Sequence, residues 1–295
     1  MNKITCFGEV LWDNFPNYKI IGGAPLNVAL RLESFKNNVS IISSVGEDKD
    51  GWEIIDYLRK NKINIEGLQI DEKFDSGIVN VTLNKEGSAS YDISYPSAWD
   101  NIKITEGIKK QVSESDAFLY GSLAARDKIS RTTLYELLKL PVYKILDLNL
   151  RPPNYSFELL LDLMKYADFI KLNKDELDEI ISGMGAELNN LEASIELISK
   201  TTGTKTICIT KGGEGSVLFF DTKYYYNYGH QIKVADTVGA GDSFLAGLID
   251  KLLKGKSPQI ALDYASAVGA CVASKKGANP EVALTSIAEL LHDNN

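Results

Sequence analysis

The residues of this chain best suited to chemistry gather in one string, Asp236-Thr237-Val238-Gly239-Ala240-Gly241-Asp242. The two glycines of Gly239-Ala240-Gly241 let a backbone approach a ligand closely and take dihedrals that a Cβ forbids. Residues 243–249 carry apolar side chains at helical spacing, so the loop leads into a helix N-terminus. Unpaired N–H groups and the positive end of the helix dipole make such an end an anion site. Asp242 is the unusual member, an acid standing where an incoming phosphate would sit. An Asp before a helix is most often only an N-cap. Here it comes with the anion nest, with Asp236 in the same string and with Thr237 beside that acid. A carboxylate next to N–H donors is what phosphoryl transfer to an alcohol requires: a base for the hydroxyl proton and donors for the moving charge.

The rest of the chain must hold that string in place. Its 295 residues suffice for one large α/β core or two modest domains. A composition 44% hydrophobic and 24% charged is ordinary for a soluble globular protein. The formal net charge of −8 and pI near 5.0 argue against a general nucleic-acid surface or an anionic-membrane surface. An anionic ligand must therefore be held by local dipoles, a few cations and a metal. Cys6, Cys208 and Cys271 are far apart and lack C-x-x-C spacing, so they read as buried thiols of a reducing cytosol. Met1-Asn2-Lys3 runs straight into an apolar stretch with no signal-peptide pattern, and no apolar run approaches the roughly 18 residues of a membrane span. The expected location is cytoplasmic.

Taken in order, residues 4–11 read as a buried strand, with Gly8 and Glu9 near the end where ligands meet parallel sheets. Residues 18–21 look like a short second strand. Gly22-Gly23-Ala24-Pro25 then opens a helix running to Phe35, with Pro25 suited to its first turn. A strand at 39–45 and a helix at 50–60 follow. From 77 to 95 the period changes to two around the turn Asn84-Lys85-Glu86-Gly87, which predicts an antiparallel hairpin inserted in an α/β chain. Strands at 117–120, 143–148, 168–172, 206–210, 216–220 and 224–226 alternate with helices at 130–140 and 258–274. Pro152 and Pro153 stop the strand that ends in Asp147-Leu148-Asn149-Leu150-Arg151 and splay Arg151 away from it. Asn173 suits the cap of the helix after it. Lys211-Gly212-Gly213-Glu214-Gly215 turns between two strands. It lacks the order G-x-x-x-x-G-K-[ST], and no strand is followed by G-x-G-x-x-G, so Walker-type ATPase and Rossmann dehydrogenase readings lose. His230 and His292 stand apart from any metal-ligand company.

The Asp236–Asp242 string resembles the C-terminal signature of the ribokinase-like carbohydrate kinases, the phosphofructokinase-B type, at every fixed position. The resemblance covers nearly the whole chain. It implies a ribokinase-like three-layer α/β sandwich, with a mostly parallel central sheet and a small β-sheet lid. Residues 1–295 would form a single kinase domain, with the lid built from about 12–21 and 75–100. It implies an ATP-dependent sugar kinase in which Asp242 is the base, and the N–H groups of Gly239, Ala240 and Gly241, Mg²⁺ and Arg151 meet the charge. Asp13, Gly22, Gly23 and Asn27 fall on the family's sugar-holding positions. Trp12 and Trp99 are expected to lay flat apolar surface against the sugar ring. Thr210, Gly212, Gly215, Asn173 and Gly241 fall where the family grips the nucleotide, and Glu176 where it organises Mg²⁺ and its waters. A K⁺ ion would lie at Asp236 and the carbonyls of Val238, Val272, Lys275 and Gly277.

Gly8 to Asp13, Ala98-Trp99-Asp100 and the Asp-x-Asn-x-Arg-Pro string resemble fructokinases. Fructose, converted to fructose 6-phosphate, is thus the first substrate expected. 2-Keto-3-deoxygluconate, another ketose or ribose stands behind it, and a catalytically silent sugar- or nucleotide-binding regulator is the reading from another class. A lid excludes water that would compete for the phosphoryl group. The resemblance also implies a homodimer through that lid.

Overall fold

The structure is a computed structural model and describes residues 1–83 and 89–292. The expected turn at Asn84-Lys85-Glu86-Gly87, and Ser88 with it, lies outside the described residues. In chain order the strands are β1 (Lys3–Phe7), β2 (Leu11–Phe15), β3 (Tyr18–Gly22), β4 (Asn38–Gly46), β5 (Asn64–Asp71), β6 (Gly77–Leu83), β7 (Ala89–Ile93) and β8 (Ala117–Gly121). They continue with β9 (Tyr143–Asp147), β10 (Phe169–Asn173), β11 (Thr206–Thr210), β12 (Ser216–Phe220) and β13 (Lys223–Asn227).

Two sheets result. The large one runs β13-β12-β11-β10-β9-β8-β1-β4-β5. It is parallel from β11 to β5, with β12 and β13 added antiparallel at one edge. The small sheet runs β3-β2-β6-β7 and is antiparallel except where β2 meets β6.

Successive residues of the central strands bury opposite faces, as a sheet covered on both sides demands. Cys6, Ile41, Leu119 and Cys208 pack into one apolar cluster, with helices Ala24–Ser34, Lys49–Lys60, Ala240–Leu253 and Pro258–Ala273. Phe7, Ile42, Phe118 and Ile207 face the other cluster, against helices Lys128–Leu138, Phe157–Tyr166, Lys174–Gly183 and Leu191–Thr202. Helix, sheet and helix make three layers. The three cysteines are free and buried.

The chain departs from expectation at its start. The first strand ends at Phe7, Gly8 takes φ 140°, and Leu11 onward belongs to the small sheet rather than the large one. Strand β5 and helices Glu106–Ser113, Phe157–Tyr166, Leu191–Thr202 and Leu284–His292 were not foreseen. Among the described residues no helix is long and apolar enough to cross a membrane.

Candidate active site

Helix Ala240–Leu253 begins one residue after Gly239, which holds φ 74°, a left-handed conformation that a side chain would strain. Asp242 therefore lies inside the first turn, and the residue before the helix is Gly239. An N-cap explanation of the acid fails on position alone. Ala240 N donates to the Thr237 carbonyl (3.2 Å), while the N–H groups of Gly241 and Asp242 have no carbonyl one turn back to pair with and can face a ligand. Asn27 Nδ2 donates to Asp242 Oδ2 (2.8 Å), and Asn279 Nδ2 donates to Asn27 Oδ1 (2.6 Å). Arg31, one turn further along the Asn27 helix, donates from Nε to Ser243 Oγ (3.1 Å) and from Nη2 to the Pro280 carbonyl (2.9 Å). These bonds fix the helix carrying Asn27 against the helix carrying Asp242. Burial pushes the Asp242 carboxyl up to about 6, with Asp147 adding to the rise and Lys171, Asn27 and Arg151 opposing it. An acid so placed is ionised near neutral pH yet basic enough to accept a hydroxyl proton.

Three charged residues join this centre that the sequence did not single out for chemistry. Lys171, from β10, donates to Asp147 Oδ1 of the neighbouring β9 (2.9 Å), and both residues are buried. A methyl group added at Gly241 would stand 3.5 Å from Lys171 Nζ. Burial opposes the lysine's charge, but Asp147, Glu176 and Asp242 around it hold the ammonium above its ordinary range. Glu9, in the loop after β1, is 3% exposed, and its Oε2 has no hydrogen-bond partner among the described residues. Burial pushes its carboxyl up to about 7. Asp242 adds to that rise, while backbone amides and Arg151 resist it. Legible signals existed: a lysine inside the apolar run Phe169-Ile170-Lys171-Leu172, and an acid after a strand-ending glycine.

Arg151 is exposed, and its charge acts on Glu9, Asp13 and Asp242 together. Asp13, on β2, is pushed up to about 6 by burial, with Arg151 opposing. Asp13 and Gly22 meet across the β2–β3 pair, where any side chain on Gly22 would run into the Asp13 carboxylate. Gly23 caps the Asn27 helix.

The two tryptophans do not do what was expected of them. Trp12 is 8% exposed, its ring lies under Lys19 Nζ (4.0 Å), and its Nε1 donates to the Asp50 carbonyl (3.2 Å). Trp99 is fully buried beneath the Arg126 guanidinium (4.0 Å). Each ring is buried with a cation of this chain over it, so neither lies open to a sugar.

On the other side of the nest, Asn173 and Thr210 pair across β10 and β11. The Lys211–Gly215 turn closes with Lys211 N donating to the Gly215 carbonyl (2.8 Å), and Gly212 takes φ 57°. Asn173 and Glu176 form a reciprocal cap: Glu176 N donates to Asn173 Oδ1 (2.9 Å) and Asn173 N to Glu176 Oε2 (2.8 Å). Glu176 Oε1 also accepts from Leu150 N (2.9 Å), tying this helix to the Arg151 loop. Asp236 joins two loops, accepting from Val238 N (3.0 Å) and Gly277 N (3.0 Å). Lys275 N donates to the Val272 carbonyl (2.9 Å). Asp236, Val238, Val272, Lys275 and Gly277 thus share one corner. Among the described residues no group of three or more His, Cys, Asp or Glu side chains has metal-holding geometry. The carboxylates and carbonyls of this centre are oxygen donors, the kind that suits a hard cation keeping several of its waters.

Residues 5–283 match the pfkB family carbohydrate kinases. Fructokinase-2 of Oryza sativa subsp. japonica is 27% identical over 98% of this chain and 94% of its own length. The crystal structure of fructokinase with bound ATP from Xylella fastidiosa superposes with a TM-score of 0.87 at 22% identity, covering 99% of this chain and 98% of that one. A double-mutant fructokinase from Vibrio cholerae O395, in fructose-, ADP- and potassium-bound form, gives 0.85 at 21% identity over 99% and 98% of the two chains. These likenesses give the chain the ribokinase-like sandwich that its sequence implied. With the family match spanning most of its length, the chain belongs to the pfkB carbohydrate kinases and is a sugar phosphotransferase.

Proposed function

We propose that the chain phosphorylates a hydroxymethyl group of a ketose at the expense of ATP, with fructose as first substrate and fructose 6-phosphate as product. The observation that carries this reading is Asp242, inside an anion-binding helix turn and hydrogen-bonded to Asn27. Asp242 takes the hydroxyl proton, and the N–H groups of Gly239, Ala240 and Gly241 meet the oxygens that gain charge. Asp13, Gly22, Gly23 and Asn27 hold the sugar's other hydroxyls. Asn173, Thr210, Gly212, Gly215 and Gly241 bind the nucleotide, and Glu176 acts on Mg²⁺ through its waters. Asp236 and its neighbouring carbonyls take K⁺, as the potassium-bound Vibrio fructokinase suggests by likeness. When bound, MgATP supplies the phosphoryl group. Residues 1–295 act as one kinase domain beneath the lid of residues 12–21 and 75–100.

Charge favours a neutral sugar. Arg151 is shared among Glu9, Asp13 and Asp242, so an acid sugar would bring a fourth carboxyl to one guanidinium. A site whose polar groups pair with hydroxyls also penalises analogues that lack them. The test is ATP consumption over a sugar panel, with fructose expected to lead ribose and 2-keto-3-deoxygluconate in kcat/KM. A tenfold lead for 2-keto-3-deoxygluconate, about 1.4 kcal/mol of transition-state preference, overturns fructose and leaves the kinase intact. Absence of turnover with any sugar, alongside measurable sugar binding, favours the silent regulator.

A further inference from the structure

Lys171 and Asp147 form a buried ion pair that none of the roles above uses. Their side chains are 8% and 4% exposed, and Nζ lies 2.9 Å from Oδ1. A buried ion pair is weak evidence for stability, because desolvating two charges offsets their attraction. Its position is more telling. The adjacent strands β9 and β10 deliver the pair beneath the first turn of the Asp242 helix, with Nζ beside Gly241. Asp147 Oδ2 is buried and lacks a hydrogen-bond partner among the described residues, so the pair does not close on itself.

The transfer gathers negative charge at this spot, and the other nearby cation, Arg151, is an exposed side chain. We propose that Lys171 contributes to phosphoryl transfer directly, its ammonium oriented by Asp147 to supply fixed positive charge to the anion nest. Lys171 exchanges no proton. The hydroxyl proton goes to Asp242, the sugar oxygen forms the new bond to phosphorus, and the bond to the leaving nucleoside diphosphate breaks. Preorganised charge of this kind acts where water is excluded and needs no reorganisation at the moment of reaction. The inference rests on the sugar-kinase reading, and its test therefore includes a measurement made without turnover.

The informative variant is K171M/D147N, which removes the pair without leaving a lone buried charge. It should bind ADP as the wild type does but lose on the order of 10²-fold in kcat. By titration without sugar, its preference for a non-hydrolysable ATP analogue over ADP should fall about tenfold, because a charge-assisted contact to the terminal phosphate is gone. K171R should recover part of both. A pH profile adds a readout that a packing role would not move. The groups facing Asp242 are Asp147 and Lys171 from the strand ends, Asn27 from its helix, Arg151 from its loop and Glu9 after β1. In K171M, Asp147 stays unneutralised, so the acid limb of kcat/KM moves up, and in the double variant it moves back. A double variant with kcat within about threefold of wild type and unchanged nucleotide preference overturns the proposal. So does one that fails to fold, since the pair is then structural. A wild type with no turnover sinks the kinase reading instead, and the nucleotide titration still decides the role of Lys171.

Discussion

Asp236 and Asp242 belong to one short string, yet the fold treats them in opposite ways. Asp236 is half-buried, and each of its oxygens accepts a backbone N–H, one from its own loop and one from the loop after helix Pro258–Ala273. Asp242 keeps one side-chain donor, Asn27, and sits among Asp147, Glu9 and Lys171. The first acid is satisfied and joins two loops. The second is held where its charge is costly, with a carboxyl poised near 6. Perturbation of that kind, in a cleft with opposed charges, marks a group kept for chemistry rather than for the fold. The difference is testable, because loss of each acid should fail in its own way.

The largest effect is expected from Asp242→Asn. It should bind nucleotide and sugar yet lose about 10²–10⁴-fold in kcat, the ordinary cost of removing a general base. More than half the wild-type kcat would reduce Asp242 to a positioning group. The wild type should also gain kcat/KM as pH rises through about 6, where Asp242 ionises, and fall roughly tenfold per unit well below it. A rate flat from pH 5 to 8 would break the contrast between the two acids.

Asp236→Ala should cost less, on the order of tenfold in kcat/KM, and through the loops rather than the proton. It should also abolish activation by K⁺ at constant ionic strength. The pH limb near 6 should survive, since Asp242 is untouched. Equal wild-type rates in K⁺ and in a large organic cation would remove the cation from the account, leaving Asp236 as a loop tie.

What could be read in advance follows the same division. The Asp236–Asp242 string was legible because backbone geometry demands glycine at Gly239, and because its acid comes with an anion nest rather than alone. The layer order was legible because strands covered on both faces are apolar throughout. Strand β5 escaped notice: Glu66 and Gly67 break the apolar run of an edge strand whose face is only partly buried. Lys171 was passed over because one charge beside an apolar run looks like noise until its partner, Asp147 on the neighbouring strand, is known. The tryptophans misled for the converse reason. An aromatic face can be read from sequence, but the cation that covers it cannot: Lys19 lies on the next strand, and Arg126 comes from beyond β8.

The smallest effect sharpens the comparison at its edge, through Glu9. In the unfolded chain this carboxyl titrates near its ordinary 4.5, and in the folded protein at about 7. Below the lower value both states carry the proton, and the group adds no pH dependence. Between the two, the unfolded chain releases the proton while the folded one retains it. Stability therefore falls as pH rises, by about 1.4 kcal/mol per unit at most, and the loss is complete above the folded value. Glu9→Gln keeps the shape and cannot ionise, so it removes this slope. The variant should match the wild type near pH 4.5 and exceed it at pH 8, by no more than about 3 kcal/mol. Denaturant unfolding of both proteins at the two pH values measures it. Parallel stability curves would mean that Glu9 ionises in the fold as readily as in the unfolded chain, and that the acids around Asp242 are not under a common strain.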